Sequence, residues 1–269
     1  MTRIDQRFSE LAAQGRKALV PFITCGDPSL EATVPVMHAL VGAGADVIEL
    51  GVPFSDPQAD GPVIQRSSER ALTRKVGLRQ VLECCRRFRD ADAKTPVVLM
   101  GYLNPMEIFG LEAFAKAARE AGVDGVLVVD CPPEEAESLK QTLSEAGVQL
   151  ILLASPTTTD ERLALIGELS EGYLYYVSFA GVTGASSLDT NEVSGRVDAV
   201  RAHCRTPIAV GFGVKDGDSA RRAAERADGV VIGSALVAHL AEAGDPESAA
   251  DAARDFLAPI RAALDGANG

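Results

Sequence analysis

Glu49 is the acidic residue whose position most calls for a chemical explanation. It lies in the apolar run Val47–Leu50, where alternation of side chains puts Val47 and Glu49 on one face of a strand and their neighbours on the other. An unpaired buried carboxylate is costly, and its pKa rises toward neutrality. Such a group suits general acid–base catalysis. The alternative is a glutamate at a strand end that pairs with a lysine or arginine.

Asp60 is the second candidate, and its residue type alone leaves two roles open. It lies in the segment Ser55-Asp-Pro-Gln-Ala-Asp-Gly-Pro62, two residues before a proline that suits the start of a helix. An aspartate there is a good helix cap. The same loop could instead fold back over Glu49 and supply the second carboxylate of a two-carboxylate site.

Three glycine-bearing turns in the second half of the chain suggest a site for phosphate. They are Gly181–Gly184, Gly211–Gly213 and Gly233–Ser234, and each follows an apolar run. Glycine lets backbone N–H groups approach an anion, and Ser234 begins a short helical segment whose N-terminal dipole favours negative charge. Turns in an α/β protein need glycine in any case, so each turn is weak evidence by itself. Together they favour a phosphate ester as ligand.

The elements that must position these residues are short runs of β-branched and aliphatic residues, separated by amphipathic helical segments. Eight such runs occur: Ala18–Cys25, Val47–Leu50, Val97–Tyr102, Gly125–Asp130, Gln149–Ala154, Leu174–Ser178, Ile208–Phe212 and Gly229–Ile232. The alternation predicts an α/β fold, a (β/α)8 TIM barrel with an extra N-terminal helix. An open doubly wound sheet is the alternative, but its Gly-x-Gly-x-x-Gly fingerprint is absent after the first run.

The second unit of the pattern is longer than the others. Its strand is predicted to end at Leu50 and the next begins near Val97, which leaves room for a long loop after strand 2 and an additional helix over Ile64–Lys75. Extra length after a barrel strand lies on the catalytic face. The loop that carries Asp60 is therefore expected to be functional.

Composition narrows the function classes. The 269 residues, 46% of them apolar, predict a single domain over 1–269, and a net charge of -12 disfavours nucleic acid and anionic membranes as partners. The N-terminal segment lacks the apolar core of a signal peptide, so a cytoplasmic location is expected. Five scattered cysteines and three separated histidines predict no disulfide framework and no metal site.

Several longer motifs resemble the tryptophan synthase alpha family. They are Pro21–Pro28, Glu49–Pro62, Met100–Pro105, Gly181–Gly184 and Gly211–Gly213, and the resemblance extends over essentially the whole chain. It implies the retro-aldol cleavage of indole-3-glycerol phosphate to indole and glyceraldehyde 3-phosphate, with no cofactor in this subunit.

The resemblance also implies a role for each matching residue. Glu49 matches the acid–base that protonates indole C3, and Asp60 matches the group that stabilises the positive charge on the indole nitrogen. The matching residues around the indole are Phe22, Leu99 or Met100, Leu127 and Tyr175, and those at the lid and phosphate are Thr183, Gly184, Gly213, Gly233 and Ser234. Phe212, at the end of an apolar run, is a further candidate for the apolar slot that holds the rest of the ligand. Phe179 departs from the family, in which a polar or basic residue is common at that position of the lid.

Family membership would imply a partner, a pyridoxal phosphate-dependent beta subunit that receives indole, in an alpha2-beta2 tetramer. The loop 52–60 and the turn Asn104–Pro105 would face it. Two other functions stay open at this point: a lyase of the same family that is fully active without a beta subunit, and a non-catalytic sensor of a phosphorylated ligand that regulates a partner enzyme.

Overall fold

A computed structural model describes residues 1–177, 190–211 and 213–266 of the chain. Its strands are β1 (Ala18–Thr24), β2 (Ile48–Gly51), β3 (Val97–Gly101), β4 (Gly125–Val128), β5 (Gln149–Ile151), β6 (Leu153–Ala154), β7 (Leu174–Val177), β8 (Ile208–Gly211) and β9 (Gly229–Ile232). The paired strands are parallel.

The strands form a closed barrel, since the two ends of the sheet order are two halves of the single predicted fifth strand. In the sheet order β5-β4-β3-β2-β1-β9-β8-β7-β6, β5 pairs with β4 and β6 pairs with β7. Only Leu152 separates the halves, and its carbonyl accepts a hydrogen bond from the Tyr175 N–H at 3.0 Å. β1 pairs on its two sides with β2 and β9. The predicted TIM barrel is confirmed, and the open sheet is excluded.

Helices follow the strands around the outside, as the alternating pattern predicts. They are α1 (Arg3–Ala13), α2 (Leu30–Gly42), α3 (Pro62–Thr73), α4 (Leu78–Arg89), α5 (Leu103–Phe109), α6 (Leu111–Glu120), α7 (Ala136–Glu145), α8 (Asp160–Leu169), α9 (Thr190–His203), α10 (Gly217–Ala224), α11 (Ser234–Leu240) and α12 (Pro246–Gly266), with a 3-10 helix at Pro133–Glu135. In the part of the chain that the structure describes, none of these helices has the length and hydropathy needed to cross a bilayer.

Alternation along each strand divides the buried apolar residues into two clusters. Side chains that point outward, such as Ile48 and Leu99, pack in one cluster with helix residues such as Phe88. Side chains that point inward, such as Val98 and Leu127, form a second cluster inside the barrel. Both faces of the strands are therefore dry, which explains why the strand runs read as almost continuously apolar.

Helix α1 closes the end of the barrel at which the strands begin. Its buried residues Ile4, Phe8 and Leu11 belong to the interior cluster. The Thr2 side chain caps the helix and its hydroxyl donates to Gln149 Oε1 at 2.7 Å. The extra N-terminal helix is thus present, and it fills the barrel from below.

Asp124, directly before β4, joins three elements at the same end. Its carboxylate accepts hydrogen bonds from Arg3 of α1 at 2.8 Å, from Arg89 of α4 at 2.7 Å and from the Val97 N–H of β3 at 2.9 Å. The carboxylate is 3% exposed, so little water is available to replace these partners. Removal of such a group leaves buried donors without an acceptor.

We expect Asp124→Ala to lower the free energy of unfolding by about 3–5 kcal/mol, because two arginines and one N–H lose their shared acceptor. Urea denaturation of the full chain measures this. Asp90→Ala is the matched control, since Asp90 is exposed at the end of α4, and it should change stability by less than about 0.5 kcal/mol. Equal effects of the two substitutions would contradict the role of Asp124.

Candidate active site

A cavity of about 760 Å³ lies at the end of the barrel where the strands finish. Both candidate carboxylates, Glu49 and Asp60, line it. So do the other predicted residues Phe22, Met100, Tyr175, Gly213, Gly233 and Ser234. Its volume suits a ligand with an aromatic ring and a phosphorylated side chain.

Glu49 reaches the cavity from β2 but is 0% exposed. Its Oε1 accepts a hydrogen bond from the Tyr173 hydroxyl at 2.5 Å, whereas its Oε2 is buried with no hydrogen-bond partner among the described residues. Burial raises the pKa of Glu49 to about 8, and the hydrogen bond from Tyr173 opposes that rise. At neutral pH the carboxyl group is therefore largely protonated, and its free oxygen can hold the proton.

Two tyrosines of the same strand face surround Glu49. Tyr173 directly precedes β7, and Tyr175 lies two residues further on, so their side chains point to the same side. Desolvation is the largest cause that raises the pKa of each hydroxyl, with the nearby Glu49 as a further cause. Both hydroxyls stay neutral near pH 7, and Tyr173 acts toward Glu49 as a donor.

Asp60 does not cap α3, although its sequence position allowed that role. The N-cap is Gly61, with Pro62 in the first turn and no side-chain cap bond. The Asp60 carboxylate instead accepts a hydrogen bond from the Tyr102 hydroxyl at 3.1 Å. Burial raises the pKa of Asp60, and the Tyr102 hydrogen bond lowers it. The cap interpretation was wrong, and the carboxylate is available to a ligand.

Tyr102 also fixes the loop that carries Asp60. Its hydroxyl accepts a hydrogen bond from the Ala59 N–H at 2.9 Å, and its ring stacks on Phe54 at a centroid distance of 4.8 Å. Gln65 of α3 donates to the Asp60 carbonyl at 2.8 Å. The loop is thus held at its two sides, by the end of β3 and by α3.

The two carboxylates differ in their surroundings, and this difference decides what each can do. Glu49 is enclosed and favours its neutral form, while Asp60 is half-buried on the loop and has a single neutral donor. A pair of this kind combines a proton donor with an acceptor of positive charge in one cavity.

The predicted phosphate end lies across the same cavity. Gly213 has a left-handed backbone with φ of 77°, which favours glycine there. Gly233 is the N-cap of α11 and makes no side-chain cap bond, and Ser234 and Ala235 begin that helix on the cavity wall. Thr183 and Gly184, also predicted for this end, lie outside the described residues, as do Phe212, predicted for the apolar slot, and Phe179.

The structure does not place two of the predicted indole-pocket residues on the cavity wall. Leu99 points outward into the cluster between strands and helices, because in β3 the inward positions are those of Val98 and Met100. Leu127 points inward but is fully covered in the barrel interior. Met100, named beside Leu99 in the prediction, is the β3 residue that lines the cavity.

Other residues of the site were missed from the sequence, both on the cavity wall and beside the two carboxylates. The most informative is Tyr173, which its spacing of two from Tyr175 could have indicated, since a buried hydroxyl needs a partner and Glu49 faces the same interior. Tyr102 and Lys215 gave no pattern of their own. The remaining missed wall residues are mostly apolar: Ala59, Gly61, Ile64, Leu153, Ala154, Ser155, Thr158, Val177, Val214, Val231 and Ala235.

The described residues contain no cluster of three or more histidine, cysteine, aspartate or glutamate side chains arranged to hold a metal ion. Cys25, Cys84 and Cys85 are buried away from the cavity wall.

A family model, curated relatives and solved structures all match this chain to the same family. The model of the family described as tryptophan synthase alpha chain matches residues 8–264. The tryptophan synthase alpha chain of Xanthomonas oryzae pv. oryzae (strain MAFF 311018) is 65% identical over 266 residues, which cover 98% of this chain and 99% of that relative.

Solved structures agree. Tryptophan synthase subunit alpha from Legionella pneumophila str. Paris is 46% identical with a TM-score of 0.92, over 99% of both chains. A chain of the tryptophan synthase a2b2 complex from Pyrococcus furiosus is 38% identical with a TM-score of 0.84, over 91% of this chain and 98% of that one.

The raised pKa of Glu49 makes stability depend on pH. Between about pH 4.5 and 8 the folded protein keeps a proton on Glu49 that the unfolded chain has released. Stability must then fall as pH rises through this range.

We expect the unfolding free energy of the unaltered protein to fall between pH 4.5 and pH 8 by on the order of 4 kcal/mol more than that of the Glu49→Gln variant. Glutamine is a suitable reference because it imitates the protonated acid and does not titrate. Urea denaturation of both proteins at a series of pH values gives the difference. A difference that stays constant across the range would show that Glu49 is not held in its neutral form.

Proposed function

Because the chain belongs to the tryptophan synthase alpha chain family, we propose that Glu49 is its acid–base group and Asp60 its stabilising anion. The reaction is the alpha reaction of tryptophan synthase in L-tryptophan biosynthesis, the cleavage of indole-3-glycerol phosphate to indole and D-glyceraldehyde 3-phosphate. The enzyme is a carbon–carbon lyase. The observation that carries our assignment is the buried, protonated Glu49 in the same cavity as a half-buried Asp60.

Glu49 begins the reaction as an acid. Its proton is transferred to indole C3, which turns the ring into an indolenine with positive charge on nitrogen. The resulting carboxylate then accepts the proton of the glycerol hydroxyl next to the scissile bond, and the electron pair of that bond returns to the ring. A pKa of about 8 supports both steps, because the group holds its proton at neutral pH and is a competent base once ionised. Tyr173 steadies the ionised form through its 2.5 Å hydrogen bond.

Asp60 acts on the other side of the indole ring. As an anion it accepts a hydrogen bond from the indole N–H and stabilises the positive charge that develops there. The Tyr102 hydroxyl, which donates to it at 3.1 Å, favours the ionised form. Phe22, Met100 and Tyr175 supply apolar wall around the ring.

The phosphate end of the substrate is assigned to the opposite wall. Gly213, Gly233 and Ser234 are its described members, and Thr183 and Gly184 complete the assignment from the family resemblance. Backbone N–H groups at the start of α11 can bind phosphate without a basic field. This agrees with the acidic net charge of the chain.

We further propose that no cofactor acts in this chain and that residues 1–269 form a single TIM-barrel domain. Each step above uses groups of the chain itself. Pyridoxal phosphate is expected in the beta partner. We also assign the chain to the cytoplasm, on the basis of its biosynthetic reaction.

The proposed partner is a beta subunit in an alpha2-beta2 assembly. The similar chain from Pyrococcus furiosus belongs to an a2b2 complex. On this chain Tyr102, the N-cap of α5, contacts Phe54 and Ala59 of the loop 52–60, and Asn104–Pro105 form the first turn of α5 directly after it. Ile108, on the helix α5 that includes this turn, is 82% exposed. A partner subunit that docks on this surface would cover the Ile108 side chain and remove its apolar area from water.

We expect Glu49→Gln and Asp60→Asn each to lower kcat for the cleavage of indole-3-glycerol phosphate by about a hundredfold or more, since each removes a group that acts in the transition state. Indole release is measured with the beta subunit present. Asp255→Asn is the matched control, because Asp255 is exposed on α12, away from the cavity wall and from the proposed partner surface.

Near-normal turnover of either active-site variant would refute its assigned role. Substrate binding without turnover by the unaltered chain would instead favour the sensor of a phosphorylated ligand.

We expect Ile108→Glu to weaken binding of the beta subunit by about tenfold or more, because the burial of an isoleucine side chain contributes about 1.5–3 kcal/mol. Titration calorimetry with the cognate beta subunit measures the affinity, and indole release measures the activation. Lys116→Glu, an exposed residue of α6, is the control. Unchanged affinity would remove Ile108 from the interface, and full activity of the isolated chain would favour a lyase that needs no partner.

A further inference from the structure

A second cavity, of about 400 Å³, lies at the end of the barrel where the strands begin, opposite the cleavage site. It is named the lower cavity below. Its wall comes from the end of α1 and the turn that follows it, the segment before β8, and the residue before β9. The lining residues are Phe8, Leu11, Ala12, Gly15, Arg16, Lys17, Arg201, Arg205, Thr206, Pro207 and Asp228. None of them belongs to the cavity that holds Glu49 and Asp60.

The charge of this cavity is opposite to that of the chain. Four of its side chains are cations and one is a carboxylate, in a protein whose net charge is -12. Electrostatic repulsion among four cations is unfavourable unless anions accompany them. The local excess of positive charge therefore needs a physical explanation.

Internal ion pairs account for only part of that charge. Arg16 pairs with Asp265 at 3.0 Å, and Arg201 pairs with Asp228 at 3.0 Å. Asp228 also accepts a hydrogen bond from the Ile208 N–H at 2.9 Å, so its Oδ2 is already shared. Arg16 and Arg201 are thus partly neutralised.

The other two cations have no carboxylate partner within the described residues. Lys17 donates to the Ala227 carbonyl at 2.7 Å, which satisfies a hydrogen bond but leaves the charge uncompensated. Arg205 is exposed and makes no ion pair or hydrogen bond with the described part of the chain. Two unmatched cations on one wall fit a ligand with two negative charges.

The rest of the cavity wall supplies one polar group and an apolar surface. The Thr206 hydroxyl oxygen is buried and has no hydrogen-bond partner among the described residues. A buried hydroxyl without a partner is destabilising, and a ligand oxygen would satisfy it. Phe8, Leu11 and Pro207 add apolar surface beside it.

From these features we infer that the lower cavity binds a small organic phosphate, whose dianionic head meets Lys17 and Arg205 and whose apolar body lies against Phe8 and Pro207. Thr206 donates to a phosphate oxygen. The site is separate from the cleavage site and does not depend on it.

The test is an amide NMR titration of the full chain with phenyl phosphate at constant ionic strength. The lower group of amides, those of Gly15, Thr206 and Asp228, reports on the lower cavity. The upper group, those of Gly213 and Ser234, reports on the cleavage site. We expect phenyl phosphate to cause saturable shifts of the lower group. Inorganic phosphate should bind more weakly because it lacks the apolar body, and phenylacetate should bind more weakly because it carries a single charge. Shifts confined to the upper group would refute the site, whatever their meaning for the cleavage reaction.

Two variants sharpen the result. Arg205→Glu should weaken binding of phenyl phosphate at the lower group by about tenfold or more while the upper group is unaffected, because it reverses an unpaired charge. Arg222→Glu, an exposed residue of α10 outside both cavities, gives the same change in net charge and should leave both groups unchanged. Equal losses in the two variants would overturn the proposal in favour of a general field effect.

Thr206→Val keeps the shape of the side chain and removes the unpartnered hydroxyl, so the fold should be unharmed while binding weakens. Unaltered affinity in this variant would contradict the role of Thr206. Tighter binding of phenylacetate than of phenyl phosphate would overturn the assignment of a dianion.

Discussion

The enclosed carboxyl group of Glu49 is the constraint on which the rest of the site depends. A charge inside a dry barrel is strongly disfavoured, so the group holds its proton and its pKa rises to about 8. The enclosure is made by the whole fold: strands buried on both faces, Tyr173 as a hydrogen-bond donor to Glu49, and α1 packed against the barrel interior. An acid suited to neutral pH is therefore a property of barrel closure more than of any one neighbour.

Asp60 lies in the opposite kind of environment, a partly exposed loop instead of an enclosed strand. It is carried by a loop, retains contact with water, and is positioned through Tyr102 at the end of β3 and Gln65 in α3. The barrel thus supplies a neutral acid from a strand and a carboxylate from a loop, and each environment comes from the type of element that carries the residue. A loop can also move relative to the strands, so Asp60 is the member of the pair whose position a neighbouring subunit could adjust.

Sequence patterns predicted those features that depend on local periodicity. All eight strand runs were found, because alternation and flanking glycine turns are local properties, although the interruption at Leu152 was not. The inward direction of Glu49 followed from the same alternation. Leu99 was predicted to line the indole pocket, although the same alternation directs its side chain outward. The hydrogen bond of Tyr173 with Glu49 joins residues that are 124 positions apart. Pairings over such distances leave no local pattern, and neither does the cationic wall of the lower cavity.

The position of α1 has a consequence for how the protein is made. Its apolar face, Ile4, Phe8 and Leu11, packs inside the barrel with residues as late in the chain as Ala209 and Val231. During synthesis this helix leaves the ribosome before its binding site exists, and it must wait until the last strands have been translated. The nascent chain therefore carries an uncovered amphipathic helix for most of its elongation, a condition that favours slow final docking and association with chaperones.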